Sequence, residues 1–279
     1  MLRQRIITAI VLLALFLPAL FASMAQPLAI LSLILVTAAA WEWGRLNGLQ
    51  MRGALRCAAS CLLVCLLMWN ARWAYEPPDL LWPLVGGFWV LGGAWLIHRG
   101  IDGWPLIPGG LRLFGGVMAL SATWIALFHA KVYGINFLFS LLLTVWMADV
   151  AAYFSGRAFG RHKLAINISP GKSWEGVWGG MLGVIVMGVI WIWFDSQLSV
   201  DSLSLFSLLY ARGWAFSILA VLFLVAMSVL GDLVESLVKR SAGMKDSSHL
   251  LPGHGGVLDR VDALLPTLPL ALMLLQSLS

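Results

Sequence analysis

The densest polar passage in this 279-residue sequence runs from Asp232 to Asp262. Asp232, Glu235, Ser236 and Lys239 follow spacings of 0, 3, 4 and 7, which places two carboxylates, a hydroxyl and an ammonium on one helix face. Arg240 adds a second cation, and a loop containing Pro252, Gly253, Gly255 and Gly256 then carries Lys245, Asp246 and His254. Asp259, Arg260 and Asp262 open the next apolar segment. This mix suits one kind of ligand. Mg²⁺ takes a few carboxylates together with phosphate oxygens and water, while Lys and Arg neutralise the remaining phosphate charge. A triphosphate with magnesium is the natural occupant. The plainer alternative, a solvated loop with surface ion pairs, gives no reason for acids at the borders of two apolar helices.

Two earlier passages have similar chemistry. Asp149 lies inside an apolar stretch about two turns from its end, where an ionised group is expensive and is by default a functional candidate. Pairing with Arg157 to fix helix packing is the structural alternative. Tyr153 and Gly156 fall at i+4 and i+7 from Asp149, so Gly156 would let a headgroup or a neighbouring backbone approach that face. The run Ser169 to Gly176 contains Gly171-Lys172-Ser173 ahead of a glycine-rich helix. It is not a P-loop, because Ile166 stands where the first glycine belongs and no strand is expected before it. A turn with free N–H groups, Lys172, the Ser173 hydroxyl and a helix N-terminus nevertheless suit a phosphate. An ordinary basic loop capped by Ser173 is the alternative.

The scaffold that must position these groups is set by composition. The chain is 61% hydrophobic and only 11% charged, too apolar for a soluble globule. Several runs reach the roughly 20 residues that a spanning helix needs, and the alternation of a membrane barrel is absent. The expected class is all-α and polytopic, with about nine transmembrane helices near 6–22, 28–46, 53–70, 79–98, 113–130, 135–155, 176–194, 213–235 and 261–278. With a cytoplasmic N-terminus, 15 of the 18 Lys and Arg fall on the cytoplasmic side and three opposite, so the C-terminus is expected outside. The net charge of +5 then reflects topology and anionic lipid, without nucleic acid. A signal-peptide reading of the first segment is less favoured than a retained span, because the run is long enough to cross. Residues 1–130 read as a transmembrane scaffold and 131–279 as a catalytic region with cytoplasmic loops. Cys57, Cys61 and Cys65 share a helix face, and packing is a better reading of them than metal binding.

From Ser236 onward the sequence resembles the phosphatidate cytidylyltransferases, or CDP-diacylglycerol synthases. Their closing signature is matched at Ser236, Lys239, Arg240, Lys245, Asp246, Ser248, Pro252, His254, Gly255, Gly256, Asp259, Arg260 and Asp262. The resemblance extends back through Ser169–Gly176 and Asp149–Gly160, covering the second half. The first half agrees only in kind.

The resemblance implies transfer of a cytidylyl group from CTP to phosphatidic acid, giving CDP-diacylglycerol and pyrophosphate for phospholipid synthesis. It implies Asp232 and Asp259 as ligands of Mg²⁺, with K⁺ as a possible second cation. Lys172, Lys239, Arg240, Lys245 and Arg260 become phosphate contacts, with Ser173 and Ser236 as hydroxyl ligands. Asp149, Asp246 and Asp262 are left to bind metal, pair with those cations or hold the loop, and His254 to donate to phosphate or staple the loop. A homodimer in a bacterial inner membrane, with the site facing the cytoplasm, is implied as well. Two rival classes remain open: a cation-coupled transporter, disfavoured by one-sided polar clustering and no visible repeat, and a lipid kinase, which should lack the full closing motif.

Overall fold

The computed structural model describes residues 2–276. Its helices are α1 (Leu2–Phe21), α2 (Gln26–Leu46), α3 (Met51–Asn70), α4 (Leu81–Gly87), α5 (Gly93–Arg99), α6 (Gly109–Tyr133), α7 (Ile135–Phe159), α8 (Trp174–Gln197), α9 (Leu205–Tyr210), α10 (Trp214–Ser241), α11 (Leu258–Val261) and α12 (Leu264–Gln276). A π-turn at Phe88–Gly92 joins α4 to α5 as one rod, Leu81–Arg99.

Among the described residues, seven helical stretches are long and apolar enough to cross a membrane: α2, α3, the α4–α5 rod, α6, α7, α8 and α10. The chain is thus a polytopic helical membrane protein. Helices are the natural solution, because each satisfies its own backbone hydrogen bonds where no water can. Many outward side chains are apolar, as on α8, where Leu182 is 63% exposed and Val189 64%. Such a surface is stable against lipid and not against water.

Each stretch expected to be helical is largely helical among the described residues, positions 277 and 278 of the last one lying outside them, but the two end stretches are short. The apolar part of α1 is Ile6–Phe21, and α12 has 13 residues, about 20 Å of helix against roughly 30 Å of hydrocarbon. Three features were not expected. The polar run before α8 is a two-stranded antiparallel hairpin, β1 (Lys163–Ala165) with β2 (Ser169–Ser173), so a strand does precede Lys172. A 3₁₀ turn covers Ile101–Leu106, and α9 is a short buried helix.

The bundle places several helix termini at one end. Thr8 near the start of α1 donates to the Pro252 carbonyl at 2.9 Å, so α1 begins where α10 ends. At the opposite end, buried Lys131 donates to the Leu20 and Ala22 carbonyls and caps α1, while Asp201 accepts from the Ile135 and Asn136 amides and caps α7. The three cysteines are buried, with Cys61 Sγ 3.5 Å from Ser121 Oγ on α6.

Candidate functional site

The hairpin and the helix that follows it place Lys172. Trp174 N–H donates to the His162 carbonyl at 2.9 Å, closing the hairpin base, and the Glu175 carboxylate accepts from the His162 amide and ring. Ser173 caps α8 by accepting from Gly176 N–H at 3.2 Å. The hairpin is drawn against α7 because two helices meet at glycines there. A Cβ on Gly156 would lie 3.1 Å from Ser173 Oγ and 3.6 Å from the Gly176 Cα. The neighbours that Gly156 admits are therefore the capping Ser173 hydroxyl and the α8 backbone.

Lys172 then reaches α10, with its Nζ 2.7 Å from Asp232 Oδ2. The other Asp232 oxygen accepts from Ser236 Oγ at 3.2 Å, one turn along the helix. Asp149 interacts electrostatically with Lys172 and Asp232, and Asp262 with Asp232, Lys172 and Lys239. Arg157, the alternative partner for Asp149, donates to Tyr153 Oη at 2.9 Å.

A second ion cluster lies one turn further along α10. Lys239 Nζ sits 2.5 Å from Glu235 Oε2 and 2.6 Å from Asp259 Oδ1. Asp259 Oδ2 accepts from Ser247 N, Ser247 Oγ and Gly256 N at 2.9, 2.9 and 2.8 Å. Burial alone would raise the Asp259 carboxyl, but contacts with Glu235 and Lys239 and the Gly256 and Ser247 amides hold it well below the usual carboxylate range.

The sequence thus brought together Asp149, Lys172, Asp232, Ser236, Lys239, Asp259 and Asp262 from four separate segments. The other predicted residues sit around this cluster. Arg240 Nε is 3.5 Å from the Ile168 carbonyl, facing the hairpin. Arg260 donates to the His254 carbonyl from Nε at 3.0 Å, so these two residues brace the loop, and buried His254 Nδ1 has no hydrogen-bond partner among the described residues. Lys245 and Asp246 are solvent-exposed on the loop.

One residue of the site was missed. Glu42, one turn before the end of α2, is fully buried and clamps the loop more than 200 positions away. Its carboxylate accepts from Val257 N at 3.0 Å, Leu258 N at 2.7 Å, Ser247 Oγ at 3.2 Å and Ser248 Oγ. The signal was present in the sequence, since a lone acid in the apolar run 28–46 is as anomalous as Asp149. The first half of the chain thus holds the loop of the second half in place.

Five carboxylates, Asp149, Asp232, Glu235, Asp259 and Asp262, share two ammonium groups, Lys172 and Lys239. Such an excess of acid repels a polyphosphate unless a metal cation accompanies it. Among the described residues no three His, Cys, Asp or Glu side chains form a ready-made metal cage. Mg²⁺ would need only one or two of these carboxylates, completing its shell with water and substrate phosphates. Both oxygens of Asp232 are engaged by Lys172 and Ser236, as both of Asp259 are by Lys239 and the loop, but Asp232 has fewer donors around it.

Known proteins resemble this sequence, one of them over nearly its whole length and others over about half of it. The sequence model of the cytidylyltransferase family matches residues 3–278. A phosphatidate cytidylyltransferase of Pseudomonas aeruginosa is 35% identical over 295 residues, 99% of this chain and 97% of that protein. One of Haemophilus influenzae is 49% identical over 141 residues, 50% of this chain and 46% of that protein. One of Bacillus subtilis is 36% identical over 168 residues, 57% of this chain and 58% of that protein.

Proposed function

The chain belongs to the cytidylyltransferase family, and on that premise we propose that it transfers the cytidylyl group of CTP to phosphatidic acid, forming CDP-diacylglycerol and pyrophosphate. The observation that carries this reading is the paired cluster Lys172–Asp232 and Lys239–Asp259, two fixed cations within a ring of acids at a helix-bundle end.

A phosphate oxygen of the lipid attacks the α-phosphorus of CTP in line. The new bond is P–O–P, and the bond between the α-phosphorus and its bridging oxygen breaks to release pyrophosphate. A phosphomonoester with a second pKa near 6 is largely dianionic at neutral pH, so no strong base is required. The residues act by positioning and by neutralising charge. Lys172, held at the α8 N-terminus, and Lys239, held on α10, meet the anionic groups, while the exposed Arg240, Lys245 and Arg260 attract the nucleotide. Asp232, with Asp149 and Asp262 beside it, would hold Mg²⁺, which would supply the positive charge that a triphosphate needs to approach so many acids. Asp259 is assigned to the loop and to Lys239. A second cation such as K⁺ rests on resemblance alone.

We also propose a topology of about nine crossings, the seven long helices together with the shorter α1 and α12, with the N-terminus in the cytoplasm and the C-terminus outside. The start of α1 and the ends of α2, α7 and α10 meet at the polar cluster, and that end carries most of the Lys and Arg. We place the protein in a bacterial inner membrane as a homodimer, with the site facing CTP in the cytoplasm. Chemical crosslinking of intact vesicles checks the pairing, and cysteine labelling of Met244→Cys from the cytoplasmic side checks the orientation. Labelling of that position only from outside overturns the topology.

A further inference from the structure

A groove of about 660 Å³ lies between the β1–β2 hairpin and the first two turns of α8. Arg161, Lys163 and Ile166 line it from the hairpin side, and Trp174 and Trp178 from α8. Lys172, Asp232, Lys239 and Asp259 are not among its lining residues, so it is separate from the ion clusters.

The groove has two kinds of wall. Trp174 and Trp178 are four residues apart and share a face of α8, 48% and 61% exposed, and Ile166 at the hairpin turn is 67% exposed. The other wall is cationic. Arg161 and Lys163 are exposed and form no ion pair among the described residues. The carboxylate in the lining, Glu175, is engaged by His162, whose ring nitrogen lies 2.7 Å away. Unpaired cations are costly in hydrocarbon, and a cluster of large apolar side chains is costly in water. The border between the two suits both. α8 is long and apolar enough to span, so its first turns lie at headgroup depth, where indoles are favoured and where Lys and Arg meet lipid phosphate. A soluble phosphate or nucleotide would use the cations and leave the indoles wet.

We propose that this groove binds an anionic phospholipid of the cytoplasmic leaflet, distinct from the reacting lipid, with its phosphate at Arg161 and Lys163 and its glycerol and upper acyl chain against Trp174, Trp178 and Ile166. The leaflet follows from the orientation proposed above, and only the effect on turnover rests on the cytidylyl-transfer reading. That effect follows from connectivity. Lys163 on β1 pairs with Ser173 on β2, and Lys172 and Ser173 lead directly into Trp174. A lipid that bridges the hairpin and α8 therefore steadies the short strand carrying Lys172 and keeps its ammonium beside Asp232. Anionic bilayer lipid is then an activator that acts by position.

The test uses the full chain in phosphatidylcholine nanodiscs with increasing phosphatidylglycerol, which carries the charge but lacks the monoester phosphate that reacts. Amide exchange across residues 163–175 should slow about fivefold or more as phosphatidylglycerol rises. Phosphatidylglycerol with a photoreactive group near its glycerol should crosslink to Trp174 and Trp178. At a fixed, low phosphatidate fraction, kcat should rise along the same series. Arg161→Gln combined with Lys163→Gln should weaken the site roughly thirtyfold, about fivefold per cation, and so remove all three responses. Exchange and turnover of this variant in pure phosphatidylcholine should match wild type, and Arg161→Lys with Lys163→Arg should keep the responses. Equal protection by inorganic phosphate in phosphatidylcholine, or responses that survive the double Gln variant, overturn the proposal. Protection and crosslinking without a change in kcat overturn the activating role. Lipid-dependent protection and crosslinking in a protein that forms no CDP-lipid support the site and overturn the proposed reaction instead.

Discussion

Replacing Glu42 by Ala should disable the enzyme from a helix that carries none of the sequence motifs. Its carboxylate accepts two loop amides, Val257 N and Leu258 N, and two hydroxyls, Ser247 Oγ and Ser248 Oγ. The hydroxyls can rotate to other acceptors, but Val257 and Leu258 are buried and their amides cannot reach water. Hydrogen bonds to a charged group contribute about 1.5–3 kcal/mol each, so the two amides alone place the loss at roughly 3–6 kcal/mol. Since about 1.4 kcal/mol is tenfold, the lower bound shifts the loop equilibrium by roughly two orders of magnitude toward open forms. Glu42→Gln keeps one acceptor oxygen but turns an NH₂ toward donors, and should fall between Ala and wild type. The assay pairs kcat/KM in proteoliposomes with amide exchange across residues 247–258. Both should change together, while exchange in the cores of α7 and α8 stays near wild type. A Glu42→Ala protein with normal loop protection and turnover within about threefold of wild type refutes the reasoning.

Other perturbations address the same network. Gly256→Ala would put a Cβ 2.0 Å from Ser247 Oγ and 2.4 Å from Glu42 Oε1, so it should reproduce the exchange signature of Glu42→Ala; normal protection contradicts the packing. Lys172→Ala should lower kcat by about 10²-fold or more with the protein still inserted and monodisperse, since it removes a fixed transition-state charge; a near-normal rate removes Lys172 from the site. Asp232→Asn should abolish turnover and weaken the dependence on added Mg²⁺, and chelation of wild type should stop turnover until Mg²⁺ is restored. The Asp259 carboxyl is depressed in the folded protein, so its contribution is present above the ordinary value of about 3.9 and is lost only as pH falls through the lower folded value. Protection of the Ser247 and Gly256 amides should therefore hold from pH 7 to 5, and its loss within that window contradicts the assignment.

The fold was legible wherever composition speaks directly. Long apolar runs bounded by Gly, Pro and charge became helices within a few residues of their expected limits, because the bilayer leaves the backbone no other solution. The hairpin at Lys163–Ser173 was not legible. Its strands are three and five residues long, too short for a periodic signal, and the Lys172 contact with Asp232 on α10 joins residues 60 positions apart. The site was legible in its members and not in their pairing. Helical spacing put Asp232, Ser236 and Lys239 on one face, but nothing local says that Lys172 takes Asp232 while Lys239 takes Asp259. Asp259 is a metal ligand only by resemblance, and the sequence carries no sign of the Lys239, Ser247 and Gly256 donors that the folded loop brings to its carboxylate. Glu42 was visible as a lone acid in an apolar helix, yet its partners lie more than 200 residues away, a separation no periodicity records.

The central claim is that Lys172, Asp232, Lys239 and the loop held by Glu42 form one site for cytidylyl transfer to a membrane lipid. Purified protein in liposomes, given CTP labelled at the α-phosphate, phosphatidate and Mg²⁺, tests it most directly. The account predicts a labelled CDP-lipid formed in step with pyrophosphate, and no product from Asp232→Asn in the same vesicles. Folded, CTP-binding protein that yields no labelled lipid, or an Asp232→Asn variant that matches wild type, contradicts it.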